Sequence, residues 1–162
     1  TPKSLLRHPE VVSPLADFAS GRFQRVLPDE QVPESDVKRI VLCSGKVYYE
    51  LRAAREEAAN RDVALVRLEQ LYPFPESELA AALKRYPKET PLVWVQEEPE
   101  NMGAWFFLQA RFHTRAFGRY PFSGVTRSAS SSPATGSSSS HRLEQKELIQ
   151  KALEIKELVT KD

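Results

Sequence analysis

The 162-residue chain has one cysteine, one methionine and six glycines, and it has no marked excess of either charge. Cys43 by itself makes no intrachain disulfide, and no spaced Cys/His set offers a zinc site, a pattern expected of an intracellular protein. With 23 Lys+Arg against 22 Asp+Glu, no bulk field recruits nucleic acid or an acidic membrane. No apolar run approaches the ~20 residues that span a bilayer, and Thr1 to Arg7 has no signal-peptide core. The scarce glycines are not spaced as a P-loop or a dinucleotide fingerprint. An initiating Met is also missing, which is compatible with a cut piece of something longer.

Proline and alternation are what the chain does have. Pro2, Pro9, Pro14, Pro28 and Pro33 punctuate residues 1–36, which read as an extended lead-in. The lead-in is expected to hold one short helix over Ser13 to Ser20, with Ser13 as N-cap, Pro14 in the first turn and Gly21 as the stop. From Val37 onward, β-branched runs alternate with helical spacing. Strands are expected over Val37–Cys43, Val63–Leu68 and Leu92–Val95, with a weaker one near Tyr120 to Thr126. Helices are expected over Lys46–Asn60, Glu76–Tyr86, Gly103–Ala116 and Leu143–Val159. Strands of this type separated by roughly 10 to 15-residue helical patterns define a fold class. It is α/β and doubly wound, a mainly parallel sheet with helices on both faces. Ser128 to Ser140 reads equally as a flexible linker or as an ordered connecting loop.

Open α/β sheets bind ligands beyond the carboxyl ends of their strands. The segments to inspect are therefore Ser44-Gly45-Lys46, Glu69-Gln70-Leu71, Gln96-Glu97-Glu98 and Arg127 onward. Ser44, Gly45 and Lys46 open a helix after a strand and offer amides and an ammonium to an anion; a serine N-cap with an exposed lysine is the plainer reading. Glu97 and Glu98 point to opposite faces if they lie on a strand, which speaks against a cooperating dyad. By composition alone the segment through Asn101, Gly103 and Trp105 reads as a solvated loop with Trp105 packed beneath. His8, His113 and His141 carry no nucleophile signature and read as surface or capping residues. Cys43 reads as a small buried hydrophobe. Arg22 and Arg25, which flank Phe23, read as a solvated basic face.

Several strings taken together resemble one family. They are Thr1 to Pro9; Cys43-Ser44-Gly45-Lys46-Val47-Tyr48-Tyr49-Glu50-Leu51; Val66 to Pro75; Trp94 to Trp105; and Ser132-Pro133-Ala134-Thr135-Gly136-Ser137 followed by His141, Glu144 and Gln145. They occur in the order seen in the C-terminal region of the thiamine-diphosphate-dependent first component of 2-oxoglutarate dehydrogenase. The chain departs from that pattern at Thr126-Arg127-Ser128, where many members have Gly-Arg-Pro, and in the tail after Leu153.

The resemblance implies that residues 1–36 lead in from a pyrimidine-binding domain and that 37–162 form a transketolase-like C-terminal domain. It implies that thiamine diphosphate and Mg²⁺ are held upstream, with no catalytic, cofactor or metal ligand in this chain. The full subunit is then an oxidoreductase of the tricarboxylic acid cycle that decarboxylates 2-oxoglutarate and passes succinyl to a lipoyl arm. Implied partners are the upstream domains, a second subunit of a homodimer, and the lipoyl-bearing succinyltransferase. For an acetyl-CoA effector, Gln70 matches the site of activated members and Arg22 stands at a basic position, but Ser77 and Glu78 replace their basic pair, so the balance is against acetyl-CoA regulation here; Ser44, Gly45 and Lys46 are the candidate anion or nucleotide site. Glu97, Glu98, Asn101, Gly103, Trp105 and His141 become expected contacts with a neighbouring domain or subunit. The expected compartment is the cytoplasm of a bacterium, or the mitochondrial matrix of a eukaryote, with the bacterium favoured. A stand-alone module binding CoA or a nucleotide is the rival expectation.

Overall fold

The computed structural model describes residues 2–154. Its centre is a run of four parallel strands, three of them buried on both faces over most of their length, which is why those three read as apolar runs, while the fourth leaves Ser123 exposed. They are β2 (Arg39–Cys43), β3 (Val63–Leu68), β4 (Leu92–Pro99) and β6 (Tyr120–Arg127). Two short antiparallel edge strands, β1 (Val26–Leu27) and β5 (Arg115–Ala116), complete a six-stranded sheet in the order β1-β3-β2-β4-β6-β5.

Alternation along each strand divides the core in two. Ile40, Leu42, Val66, Leu92 and Trp94 face α3 (Glu76–Leu83) and α4 (Trp105–Phe112), whereas Val41, Cys43, Leu65, Val93 and Val95 face α2 (Val47–Glu57) and α5 (Ser138–Leu153). Burying each such Leu or Val side chain is worth about 1.5–3 kcal/mol relative to exposure. From β2 the chain crosses through α2 to β3 on one side, then returns through α3 to β4 on the other. The winding direction therefore reverses between β2 and β4, the topological switch point of a doubly wound sheet.

The element ends depart from the expected ones for local reasons. α2 stops at Glu57 because Ala59 turns left-handed at φ 48° while the Asn60 amide bonds the Arg55 carbonyl. α3 stops before Tyr86, since the residue preceding Pro87 disfavours helical geometry. α4 is shorter than Gly103–Ala116 because His113 takes φ 52° and the chain folds back as β5 onto β6. In α1 (Leu15–Ser20) Pro14, not Ser13, is the N-cap residue, and no side chain caps it. α5 begins five residues before the expected Leu143, with Ser137 as N-cap accepting from the Ser140 amide; the expected extension through 155–159 lies outside the described residues.

Of the two readings of Ser128 to Ser140, the structure takes the ordered connection, a loop as far as Ser137 followed by the first turn of α5. Asn101 clamps it by donating to the Ser130 carbonyl at 2.9 Å and accepting from the Ser130 amide at 3.0 Å.

The lead-in is more than a tether. β1 pairs with β3, and Asp29 is buried against Arg55 of α2 while accepting from the Leu65 amide at 2.7 Å. Arg55 also donates to the Val63 carbonyl at 3.1 Å and to the Gln31 side chain. Residues 26–31 thus belong physically to the sheet edge. The earlier part differs: α1 buries no residue, and Leu15 and Phe18 are 87% and 77% exposed.

Candidate functional site: the switch-point crevice

The loops after β2 and β4 meet at the switch point and enclose a crevice of about 580 Å³. Its lining includes Ser44, Gly45, Lys46, Glu97, Glu98 and Gly103, so the sheet brings two of the sequence-marked segments together.

Ser44 does not cap α2. The N-cap residue is Lys46, in helical geometry and with no side-chain cap, while Gly45 takes φ 68° to make the turn. Nor does Lys46 reach freely into water. Its Nζ lies 2.7 Å from Glu50 Oε1 and 2.6 Å from Glu97 Oε1. Burial opposes the charge on Lys46, but the hydrogen bonds and field of Glu50 and Glu97 outweigh it and raise the pKa above the ordinary lysine value. The ammonium is charged and already matched.

The same carboxylates continue into a polar chain across the end of the sheet. Gln145 of α5, itself buried, donates to Glu50 Oε2 at 2.8 Å and to Glu97 Oε1 at 3.2 Å. Its Oε1 accepts from Arg127 Nη2 at 2.6 Å. Arg127 Nη1 in turn reaches His141 Nδ1 at 3.1 Å, Thr135 Oγ1 at 3.3 Å and Glu144 Oε2 at 3.4 Å. Because a guanidinium only donates, His141 Nδ1 is the acceptor here and the ring proton sits on Nε2. Lys46, Glu97 and His141, separate in the sequence reading, are thereby joined through Glu50, Gln145 and Arg127.

A second device shapes the loop from Glu97 to Trp105. β4 runs past Val95 to Pro99, with a register shift between those residues, and carries Gln96 into the interior. Gln96 Oε1 accepts from Trp94 Nε1 at 2.8 Å and from the Ala104 and Trp105 amides at 3.1 and 2.9 Å. It therefore satisfies two of the otherwise orphan amides at the start of α4. Its Nε2 donates to the Met102 and Pro99 carbonyls at 2.7 and 3.2 Å. Gly103 must be glycine beside it: φ is 65°, and an added Cβ would lie 2.8 Å from Gln96 Nε2. Trp105 packs on Gly124 so closely that a Cβ there would lie 2.6 Å from the indole ring.

The remaining marked residues lie apart or play other parts. Arg22 is exposed in the lead-in and does not line the crevice. Gln70 donates to the Pro73 carbonyl at 2.7 Å across a cis Tyr72-Pro73 bond, and Arg25 pairs with Glu78. Glu98 is exposed and lines the same crevice as Glu97, but it is Glu97 that pairs with Lys46. The Cys43 thiol is fully buried, and burial, reinforced by Glu69, pushes its pKa up to about 12. Sequence reasoning marked Gln96 and Arg127 only as members of segments to inspect and assigned no task to them, to Glu50 or to Gln145. Two of them left signals: Glu50 is the i+4 neighbour of Lys46, and Gln96 shares a strand face with Trp94 two residues earlier.

The crevice does not fit a diphosphate. Glu97 and Glu98 line it, and its lysine is already paired with carboxylates. Taken together, fold and site define a doubly wound α/β domain whose switch point is braced internally rather than built as a phosphate cradle. The chain belongs to the 2-oxoglutarate dehydrogenase C-terminal family, whose model matches residues 12–153. It is 49% identical over 153 residues to the 2-oxoglutarate dehydrogenase E1 component of Cupriavidus necator, covering 94% of this chain and 16% of that protein. The E1 component of Haemophilus influenzae is 45% identical over 154 residues, again 94% of this chain and 16% of the relative. The mitochondrial 2-oxoglutarate dehydrogenase of Caenorhabditis elegans is 46% identical over 165 residues, covering 93% and 15%. The chain thus spans about one-sixth of the length of the curated relatives it matches, which include bacterial and mitochondrial proteins.

Proposed function

We propose that this chain is the structural and regulatory C-terminal domain of a 2-oxoglutarate dehydrogenase first component, an oxidoreductase subunit that decarboxylates 2-oxoglutarate and transfers succinyl to a lipoyl arm. The family match across residues 12–153 carries the reading. On it, residues 1–36 lead in from a pyrimidine-binding domain, 37–162 form the transketolase-like domain, and β1 is lent to that domain's sheet by the lead-in. On this reading thiamine diphosphate and Mg²⁺ are held by the domains upstream of this one. The partners are the upstream domains, a second subunit in a homodimer, and the lipoyl-bearing succinyltransferase. The bacterial cytoplasm is the proposed compartment, with the mitochondrial matrix for a eukaryotic source.

The contribution of this domain is rigidity at its contact edge. Gln96 fixes the loop holding Asn101 and Gly103, and the chain from Lys46 to Arg127 locks that loop to α2 and α5. The full-length subunit is expected to decarboxylate 2-oxoglutarate only with thiamine diphosphate and Mg²⁺ present, while the 162-residue chain binds no thiamine diphosphate and turns nothing over. Turnover by the chain alone refutes the reading.

The rival, a stand-alone CoA or nucleotide module, needs an available cation at Ser44-Gly45-Lys46. Lys46 is instead held by Glu50 and Glu97. Titration calorimetry with CoA, acetyl-CoA and AMP is expected to give no submicromolar site; one that disappears in Lys46→Ala would favour the rival.

A further inference from the structure

The even charge balance of the chain hides a local imbalance. The turn 84–89 that follows α3 and the hairpin 115–119 that leads from β5 into β6 hold five Lys and Arg residues and one carboxylate, Glu89, which leaves the rest of the chain with 18 Lys+Arg against 21 Asp+Glu. The two segments precede β4 and β6, which are parallel neighbours, so they meet at the amino ends of these strands, at the end of the sheet away from the crevice. The Glu89 amide joins them by donating to the Arg119 carbonyl at 3.2 Å.

The hairpin is held from several sides. Phe117 and Gly118 take φ 54° and 63°, and the Arg119 amide closes the turn onto the Ala116 carbonyl at 3.0 Å. Phe117 packs on Phe112 with ring centroids 5.2 Å apart. Arg119 Nη2 donates to the Tyr86 and Lys84 carbonyls at 2.8 and 3.4 Å, and the guanidinium lies 5.3 Å from the centre of the Tyr120 ring. These contacts fix Arg119 in place but set no carboxylate against it. Arg85 and Arg115 do have carboxylates, Glu34 at 3.4 Å and Glu89. Lys84, Lys88 and Arg119 pair with none among the described residues, and both lysines are exposed.

A face of unmatched cations on a rigid support fits an anionic partner at little ordering cost. A lipid surface calls for an apolar anchor beside the cations, and none of the exposed large hydrophobic residues lies in either segment. Single-stranded nucleic acid calls for a free aromatic platform, whereas Phe117 is packed on Phe112, and Tyr86 and Tyr120 are buried. An acidic polypeptide needs neither, only carboxylates to set against the free cations.

We propose that the face formed by residues 84–89 and 115–119 docks an acidic segment of a partner polypeptide, whose carboxylates pair with Lys84, Lys88 and Arg119.

The test uses the full-length subunit and a fluorescein-labelled oligoglutamate peptide, with binding followed by anisotropy at low salt, where exposed charges are least screened. The parent is expected to bind the peptide, and reversing both free lysines in Lys84→Glu/Lys88→Glu is expected to weaken it by at least about tenfold. Lys3→Glu/Lys146→Glu makes the same change of net charge at two exposed lysines elsewhere and should stay within about twofold of the parent. Raising the salt should erase most of the difference between the two double variants. Single-stranded DNA and phosphatidylglycerol vesicles are titrated in the same way, and the Lys84→Glu/Lys88→Glu change is expected to cost them less than it costs the peptide. No binding by the parent, equal losses in the two double variants, or a larger loss for the DNA or the vesicles than for the peptide overturns the proposal.

Discussion

Replacing Gln96 by leucine keeps the side-chain volume and removes every polar atom that organises the Glu97 to Trp105 loop. The change strips the acceptor from Trp94 Nε1 and from the Ala104 and Trp105 amides, and the donor from the Met102 and Pro99 carbonyls. Residue 96 is 3% exposed, so water does not readily replace what is lost. Each buried group left unpaired costs about 1–3 kcal/mol. Relaxation of the loop returns part of this, and the added apolar atoms return more, leaving a net loss of about 3 kcal/mol. At about 2–4 °C per kcal/mol for a chain of this size, Tm falls by about 6–12 °C. Urea unfolding followed by tryptophan fluorescence measures the loss directly. A double-mutant cycle gives the sharper check. Trp94→Phe, which removes the indole donor, should cost distinctly less in the Gln96→Leu background than in the parent. A Gln96→Leu protein within about 1 kcal/mol of the parent, or a cycle with no coupling, refutes the assigned role.

Three further outcomes follow from the packing and the ion pairs. Gly124→Ala forces a methyl onto the Trp105 ring, with an expected loss of about 1–3 kcal/mol and a red-shifted emission; unchanged stability and emission would contradict the close approach. Asp29→Leu leaves Arg55, 4% exposed, without its carboxylate, which should cost about 3–5 kcal/mol, whereas adding Arg55→Met should recover most of that. A double variant no better than the single one rules out the unpaired charge as the cause. Above pH 9 the unfolded chain ionises Cys43 while the folded thiol, pushed from 9.0 to about 12, stays neutral, so the unfolded state binds fewer protons and stability falls as pH rises toward 12. The slope from this group approaches about 1.4 kcal/mol per pH unit, and Cys43→Ala should flatten the alkaline limb of the stability curve by that amount.

Most of the parallel core was readable because β2, β3 and the first half of β4 are buried on both faces and so spell uninterrupted apolar runs such as Ile40-Val41-Leu42-Cys43 and Val63-Ala64-Leu65-Val66. The edges were not. β1 and β5 are two residues each, and backbone pairing that short leaves no period in the side chains. The crevice was legible as a place, since loops at the carboxyl ends of strands can be found from the strands themselves. Its chemistry was not. Whether Lys46 serves an anion or is paired internally depends on Glu97, fifty-one positions away, and on Gln145 from the far helix. Only the i+4 partner Glu50 was local enough to see. The start of α5 was misplaced because Ser138, Ser139 and Ser140 have the composition of a linker, while their preference for helix starts is expressed only once Ser137 caps the first turn.

The buried Asp29–Arg55 pair bears on how this unit can be handled as a movable part. A cut at residue 36, where the sequence texture changes, would remove the carboxylate and leave Arg55 charged in the interior. It would also strip β1 from β3, baring a new sheet edge open to pairing with other chains. Excision, fusion to another protein or exchange between relatives therefore has to be made ahead of Val26, so that the last residues of the lead-in travel with the sheet they close.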